Sequence, residues 1–423
     1  MTSLRLAPGI TAGSIRAPPS KSYTHRALVA GHLSGREYAV NGPLDADDTR
    51  ATARALRPLG SRVRMEGKRW RVSSARASGR TDPTIDCGES GTTLRFVAAL
   101  AARGSRPLRL LGRGRLPQRP MAELLDALRT IGATCVPASR ARALPLTISG
   151  PIHGARVRLD ASQSSQFASA LLLTLPTVSG DSVLELVGPI VSEPYIEATL
   201  RVLRHHRIRV ARGGRRFSIP GGQTYRGSGM TVPGDASSAA YLWVAAAVTG
   251  GRVRVSGVPK TWPQADLTIL DLLRAAGATV RRSSDGAVVE GGSLRAFTVD
   301  LTSAPDLYPL AGVLAASIHG RSRLRGAAHV VHKESDRRAG TQTLAEAMGA
   351  EVRWERGALT IRGASRPRGF RLRHLTDHRL VMSAAVGALA GDVESVVGDA
   401  SAVTKSYPGF WEALATLREK SRR

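Results

Sequence analysis

The chain repeats itself six times, and this repetition limits the folds open to it more than any other feature. One signature recurs: a polar start, an apolar run rich in Ala and Leu, a glycine, then a short β-type stretch. It reads SKSYTHRALVAGHLSGREYAV from Ser20, SGTTLRFVAALAARGSRPLRLLG from Ser90 and SSQFASALLLTLPTVSGDSVLELVG from Ser164. It returns as DASSAAYLWVAAAVTGGRVRVSG from Asp235, PDLYPLAGVLAASIHGRSRLRG from Pro305 and DHRLVMSAAVGALAGDVESVVG from Asp377. The glycines expected to end these helices are Gly35, Gly104, Gly180, Gly251, Gly320 and Gly391, spaced by 69, 76, 71, 69 and 71 residues. A second signature is a helix closing on Leu-x-x-x-Gly-Ala or similar, followed by a strand. It appears as ALRPLGSRV at 55–63, ALRTIGATC at 127–135, LLRAAGATV at 272–280 and LAEAMGAEV at 344–352. Each of these glycines falls where a helix C-cap needs φ > 0. The version at 202–210, VLRHHRIRV, lacks the glycine. Every unit therefore reads helix, strand, helix, strand, plus extra strands, and six units leave little of the chain for anything else.

Composition narrows the function. Hydrophobic residues make up 42% and charged residues 22%, a globular balance that excludes global disorder. Apolar stretches such as Ala239–Val248 fall well short of the ~20 residues of a membrane span. Thr11–Ser20 is small, polar and proline-broken, unlike the apolar core of a signal peptide. The two cysteines, Cys87 and Cys135, make neither a disulfide framework nor a metal-ligand spacing, which points to a reducing cytoplasm. The formal net charge of +28 raises nucleic acid as a partner. Against this, the aromatic content is 4%, too little for a base-stacking platform. Of 61 cations only six are lysines, and the arginines are scattered along the whole chain, so the excess reads as codon or habitat bias.

Polar residues stand at the start of each repeated helix: Ser20, Ser90, Ser164, Asp235, Pro305-Asp306 and Asp377. Capping alone accounts for such residues. Helix N-termini also attract anions, and Lys21, Arg95 and Arg379 lie close to three of them. Converging N-termini would make a strongly anion-attracting site. Other residues read plainly as structure. Asp47 and Asp48 suit a helix start or a domain brace. His205 and His206 suit a solvated arginine-rich helix, Cys87 a small core residue, and Phe410 and Trp411 the core of the last helix. GRGRLP at 112–117 lacks the third glycine of a dinucleotide fingerprint.

Eleven strings, in order, resemble the 5-enolpyruvylshikimate-3-phosphate synthase family over nearly the whole chain. They are PPSKSYTHRA at 18–27, LDADDTR at 44–50, CGESGTTLR at 87–95, LPQRPM at 116–121, SQSSQF at 162–167 and VSEPYIEATL at 191–200. The rest are PGDASSAAY at 233–241, PDLYP at 305–309, HKESDR at 332–337, DHR at 377–379 and TKSYPGFW at 404–411. The resemblance implies an α/β fold of two domains with six βαβαββ units, an inside-out α/β barrel with its active site in an interdomain cleft that closes on substrate. It implies an inserted domain at 17–231 and a discontinuous domain of 1–16 plus 232–423.

The same resemblance implies transfer of the enolpyruvyl group of phosphoenolpyruvate to the 5-hydroxyl of shikimate 3-phosphate, with no metal and no organic cofactor. The small-molecule substrates are then the partners, without nucleic acid or membrane, and the expected state is a cytoplasmic monomer open to inhibition by glyphosate. Carried over motif by motif, Lys21, Ser22, Arg26, Ser164, Ser165, Gln166, Ser192, Tyr195, Asp306 and Lys333 would hold shikimate 3-phosphate. Lys21, Gly91, Arg119, Gln166, Arg337, Arg379 and Lys405 would hold phosphoenolpyruvate. Asp306 would accept the hydroxyl proton, while Glu334, with Lys21 or Lys405, would serve proton transfer at C3. Independently of the family, Lys21, Lys333 and Lys405 are three of only six lysines. A compact ammonium can exchange a proton, which a guanidinium does not.

Two positions depart from the commoner pattern. Glu89 stands where many members carry Asn, a carboxylate expected near phosphoenolpyruvate unless Arg95 or Arg119 pairs with it. His329 also replaces an Asn. Two other readings stay open. One is the related transferase acting on UDP-N-acetylglucosamine, disfavoured because Leu111–Pro120 holds no cysteine. The other is a basic nucleic-acid-binding protein.

Overall fold

The computed structural model describes residues 3–74, 83–139, 142–326 and 328–421, except for the side chains of 419–421. The basic end at 422–423 lies outside them. Helices and strands alternate through six small sheets, five of four strands and one of three.

One repeat shows the rule. The strand Thr84–Asp86 leads through the helix Gly91–Ala101 to the strand Leu108–Leu111, and the two strands pair in parallel. A parallel pair needs such a crossover, which the helix supplies. The helix Ala122–Thr130 then leads to the strands Thr134–Pro137 and Leu146–Ser149, which close the sheet by antiparallel pairing. The βαβαββ order recurs from Arg156–Asp160, from Ala12–Arg16 and from Thr298–Asp300. Three repeats are completed by strands distant in sequence, one of them by Ala12–Arg16, which pairs in parallel with Arg252–Ser256. Gly229–Thr231 pairs in parallel with Tyr38–Asn41, and Leu4–Leu6 pairs antiparallel with Ser395–Val397. These closures group the chain into two compact units, Pro19–Pro233 and Met1–Pro18 with Gly234–Arg423.

Within each unit the first helix of every repeat is the core. Ala236–Thr249 reads ASSAAYLWVAAAVT, and all its residues from Ala236 to Ala247 are buried. A helix that is apolar all round must be covered all round. It packs on Tyr308–Ala316 and His378–Ala390, while Gly91–Ala101 packs on Ser165–Thr174 and Lys21–Ser34. The second helices, such as Pro194–His205, bury one face only. The sheets cover the helices and alternate accordingly. In Arg156–Asp160, Val157 and Leu159 are buried while both arginines are exposed. Much of the arginine excess thus sits on the outward faces of strands.

The expected helix ends are met in part. Gly60, Gly132, Gly277 and Gly349, the glycines of the second signature, all adopt positive φ, from 88° to 108°. Gly35 caps its helix at φ 65°, but the fourth repeat is capped by Gly250 at φ 69° rather than by Gly251. Gly391 leaves its helix in an extended conformation at φ −66°, so no left-handed cap forms there. His206 corrects the surface reading. His205 is exposed, but His206 is fully buried, with Nε2 2.7 Å from the Tyr38 hydroxyl and Nδ1 2.8 Å from the Val202 carbonyl. Burial lowers its pKa to about 4, so it is a neutral core residue. Cys87 and Phe410 are core residues, as expected.

Arg207 occupies the place of the missing glycine, at φ 57° and exposed to solvent. A left-handed residue with a Cβ costs roughly 1–2 kcal/mol, partly offset by the greater unfolded freedom of glycine. Arg207→Gly is therefore expected to stabilise the fold by about 0.5–1 kcal/mol, raising Tm by roughly 1–4 °C. Thermal denaturation of the two proteins side by side measures it, and an unchanged or lower Tm would contradict the account.

Candidate active site

The polar starts of the core helices carry the chemistry, and neighbouring starts are bonded to one another. In the Pro19–Pro233 unit, Ser90 and Ser164 cap their helices by accepting from the amides of Thr93 and Gln166. Arg95, one turn into its helix, donates to the Gln166 side chain at 2.7 Å and to the Pro120 carbonyl at 2.9 Å. Gln166 in turn donates to the Thr92 hydroxyl at 3.0 Å. A Cβ added at Gly91 would come within 2.6 Å of Arg95 and 2.8 Å of Arg119. With glycine there, both guanidinium groups lie against this helix start, and a larger residue would make them shift. Ser192, three residues before Tyr195, has φ 54°, a conformation that non-glycine residues adopt rarely.

Lys21, at the first position of its helix, donates to Asp48 Oδ2 at 2.9 Å. Arg26 is 2% exposed and donates to the hydroxyls of Thr199 and Ser169 and to the carbonyls of Ser22 and Tyr195. Four of its five N–H groups are thus used inside the protein, and its guanidinium lies 5.5 Å from the Phe96 ring. Burial lowers its pKa to about 10, which leaves it charged at neutral pH.

The Gly234–Arg423 unit holds a denser cluster. Arg337 is 1% exposed and donates to Asp306 at 2.7 Å, to Glu334 at 2.7 Å and to Asp377 at 2.9 Å. Arg379 donates to the other oxygen of Asp306 at 3.1 Å. Asp377 also accepts from the Ser335 hydroxyl and from the Arg379 amide, so it caps its helix while it holds Arg337. Burial alone would raise the pKa of Asp306, but Arg379, Lys333 and Arg337 outweigh it and hold the carboxyl well below the usual range. Asp377 moves the same way, burial being overcome chiefly by Arg337. Asp266, nearly sealed at 2% exposure and bonded by the Ser237 hydroxyl, is pushed up to about 6 by burial and by the charge of Asp306.

Asp306 departs from the reading as a helix cap. It lies inside a short 3-10 turn, Pro305–Leu307, and makes no capping bond to the helix Tyr308–Ala316. The two arginines, rather than a helix dipole, dominate its electrostatics. Glu89 is exposed, and a Cβ on Gly114 would lie 2.7 Å from its carboxylate. It faces the GRGRLP loop, while Arg95 is engaged with Gln166 and Pro120. His329 is buried, and burial lowers its pKa to about 4. Lys333 and Lys405 are half-buried. Among the described residues, no group of three His, Cys, Asp or Glu could hold a metal ion, and no helix is long and apolar enough to cross a membrane.

Known proteins are similar to this chain over nearly its whole length. The family model described as EPSP synthase (3-phosphoshikimate 1-carboxyvinyltransferase) matches residues 7–414. The chain belongs to the EPSP synthase family. It is 40% identical over 407 residues to the 3-phosphoshikimate 1-carboxyvinyltransferase of Thermococcus kodakarensis, covering 96% of this chain and 98% of that one. It is 39% identical over 405 residues to the enzyme of that name from Methanoculleus marisnigri, covering 94% and 95%. In fold it matches the EPSP synthase of Acinetobacter baumannii with a TM-score of 0.81 at 24% identity, over 99% of this chain and 98% of that one. The enolpyruvyl transferase NikO of Streptomyces tendae matches at 0.80 and 18%, over 98% and 97%. These relatives do not favour either rival reading.

Within this EPSP synthase family chain, three side chains carry more than the sequence reading gave them. Asp48 was read as a brace, yet it holds Lys21. Asp377 was read as a cap and Arg95 as a cation near a helix start, yet Asp377 also gathers Arg337 and Arg95 holds Gln166. A usable signal existed for Asp48: a half-buried lysine needs a nearby carboxylate. Removing Arg337 should expose the balance. Arg337→Met leaves Asp306, Glu334 and Asp377 facing one another, which should cost about 3–5 kcal/mol at pH 7. In the parent, depressed carboxyl pKa values stabilise the fold above pH ~4 and lose that effect below it. In the variant these values rise, so stability is lost as pH rises through them. The gap in Tm between variant and parent should therefore narrow from pH 7 to pH 5, and a constant gap would contradict this electrostatic account.

Proposed function

We propose that the chain transfers the enolpyruvyl group of phosphoenolpyruvate to the 5-hydroxyl of shikimate 3-phosphate and releases phosphate, as a cytoplasmic, monomeric enzyme of aromatic biosynthesis. The substrate hydroxyl adds to C2 of phosphoenolpyruvate while C3 takes a proton. The tetrahedral adduct then loses phosphate, and C3 returns a proton. Such chemistry needs anion binding, a base and an acid in one place. The observation that carries the reading is the junction at Arg337, where Asp306 and Glu334 each lie 2.7 Å from one guanidinium. Two proton carriers thus share an anion-binding group.

In this proposal Asp306 takes the 5-hydroxyl proton, and Glu334 with Lys21 handles the proton at C3. Ser22, Ser164, Ser165, Gln166, Ser192, Tyr195 and Lys333 serve shikimate 3-phosphate. Lys21, Gly91, Arg119, Gln166, Arg337, Arg379 and Lys405 serve phosphoenolpyruvate. Arg26 serves mostly by holding the backbone of Ser22 and Tyr195 in place, because its donors are engaged there. An arginine-bound Asp306 is a weak base. A substrate anion that engages Arg337 and Arg379 draws positive charge away from Asp306 and strengthens it when it is needed.

Phosphate release on mixing the two substrates, with each omitted in turn, tests the reaction. No release above the omission controls would exclude it. Asp306→Asn should lower turnover by at least about a hundredfold, the contribution of a general base. Activity within a few-fold of the parent would remove the base assignment. Glu89→Asn should leave the KM for phosphoenolpyruvate within about twofold, because its carboxylate lies against Gly114. A tenfold fall would show that Glu89 repels the substrate.

A further inference from the structure

A chain of buried hydrogen bonds runs beneath the Lys21 and Gly91 helix starts. His25 Nδ1 lies 2.7 Å from the Thr52 hydroxyl, Thr52 lies 2.7 Å from the Thr93 hydroxyl, and Thr93 donates to the Ser90 hydroxyl at 2.8 Å. Thr93 also reaches the Asp48 carbonyl at 3.3 Å. His25, Thr52 and Thr93 are 0% exposed and Ser90 1%. His25 Nε2 is buried and has no hydrogen-bond partner among the described residues. The helices joined are Lys21–Ser34, Asp47–Ala55 and Gly91–Ala101, which carry Lys21, Asp48 and Gly91.

The direction of the relay follows from proton counting. Each hydroxyl has one proton to give. If Thr93 gives its proton to Ser90, Thr52 must give to Thr93, and His25 Nδ1–H must give to Thr52. His25 is then the neutral Nδ1–H tautomer with a bare Nε2. Burial lowers the His25 pKa to about 3, so the ring does not charge near neutral pH. A buried polar nitrogen left unpaired is costly, and a lone Leu of similar volume would avoid that cost. The relay offers a reason to keep the ring: a buried chain of hydrogen bonds ties three helices to one another.

We propose that His25 is a positioning residue for the phosphoenolpyruvate end of the site, acting through Thr52 and Thr93 to hold the Gly91 helix start against the Lys21–Asp48 pair. This rests on the proposed function. The inference is tested by steady-state kinetics of phosphate release in the full chain. His25→Leu and the isosteric Thr52→Val should each raise the KM for phosphoenolpyruvate about three- to thirtyfold, the loss of one or two buried hydrogen bonds. The KM for shikimate 3-phosphate and kcat should stay within about twofold. His25→Asn, whose amide nitrogen can replace Nδ1–H, should restore most of the affinity. The double variant should be no worse than the worse single one, because both break one chain.

Equal losses for both substrates would mean general loosening and overturn the proposal. So would a lower Tm with unchanged constants, an unrescued Asn variant, or fully additive effects. An inactive parent would instead sink the proposed function and this inference with it, whereas an active parent with unmoved variants sinks the inference alone.

Discussion

The six core helices of the described residues, buried on nearly every side, govern everything else in this chain. Such a helix is stable only where other elements cover it on every side. Three per unit satisfy that demand by packing on one another, and the small sheets then cover the outside. The sheets can therefore be short and one-sided, with arginine on the solvent face. The helix starts, which carry unsatisfied N–H groups, come together as a result of the same packing. The bonds from Arg95 to Gln166 and from Arg379 to Asp306 join residues near the starts of neighbouring core helices. The candidate site is thus a product of core packing, and its arginines are as buried as the core that positions them.

That burial decides which side chains can be used. Arg26, Arg95, Arg119, Arg337 and Arg379 are all below 9% exposed. Taking a guanidinium out of water is tolerable only when its donors find acceptors. Arginine supplies five donors in a flat fork and stays charged, which suits permanent sites of anion binding. Lysine is kept at Lys21, where one carboxylate, Asp48, can hold a single ammonium and where proton exchange remains available.

The sixfold repeat and the alternation of helix and strand were legible because they depend on local signals repeated several times over, whereas the full βαβαββ order came from the family resemblance. The four Leu-x-x-x-Gly glycines repeat one backbone requirement, and Arg207 shows how strong that requirement is: the left-handed turn survives without the glycine. Legibility ended where a residue's partner lies far away in sequence. Asp306 looked like a cap because proline and a helix follow the usual order, but its carboxylate is taken by Arg337 and Arg379 from 31 and 73 residues away. His206 looked solvated because its sequence neighbours are arginines, yet Tyr38, 168 residues distant, draws it inside. Asp48 looked structural because its partner, Lys21, sits 27 residues earlier on another helix. Local pattern reports backbone state well, whereas side-chain pairing depends on the tertiary fold.

The two units also treat buried charge differently, and the difference bears on what each can do. In the Pro19–Pro233 unit, Arg26 donates to the hydroxyls of Thr199 and Ser169 and to the carbonyls of Ser22 and Tyr195, all of them neutral. Those acceptors satisfy geometry and leave the positive charge standing. In the Gly234–Arg423 unit, Arg337 and Arg379 end on three carboxylates, Asp306, Glu334 and Asp377. There the charge is compensated, and the compensating groups are ones that can accept and return protons. A guanidinium held by neutral acceptors keeps its attraction for an anion. In the second unit the anion must compete with a carboxylate for each guanidinium. The competition weakens ground-state binding there, but it frees a base in proportion to how completely the anion takes its place.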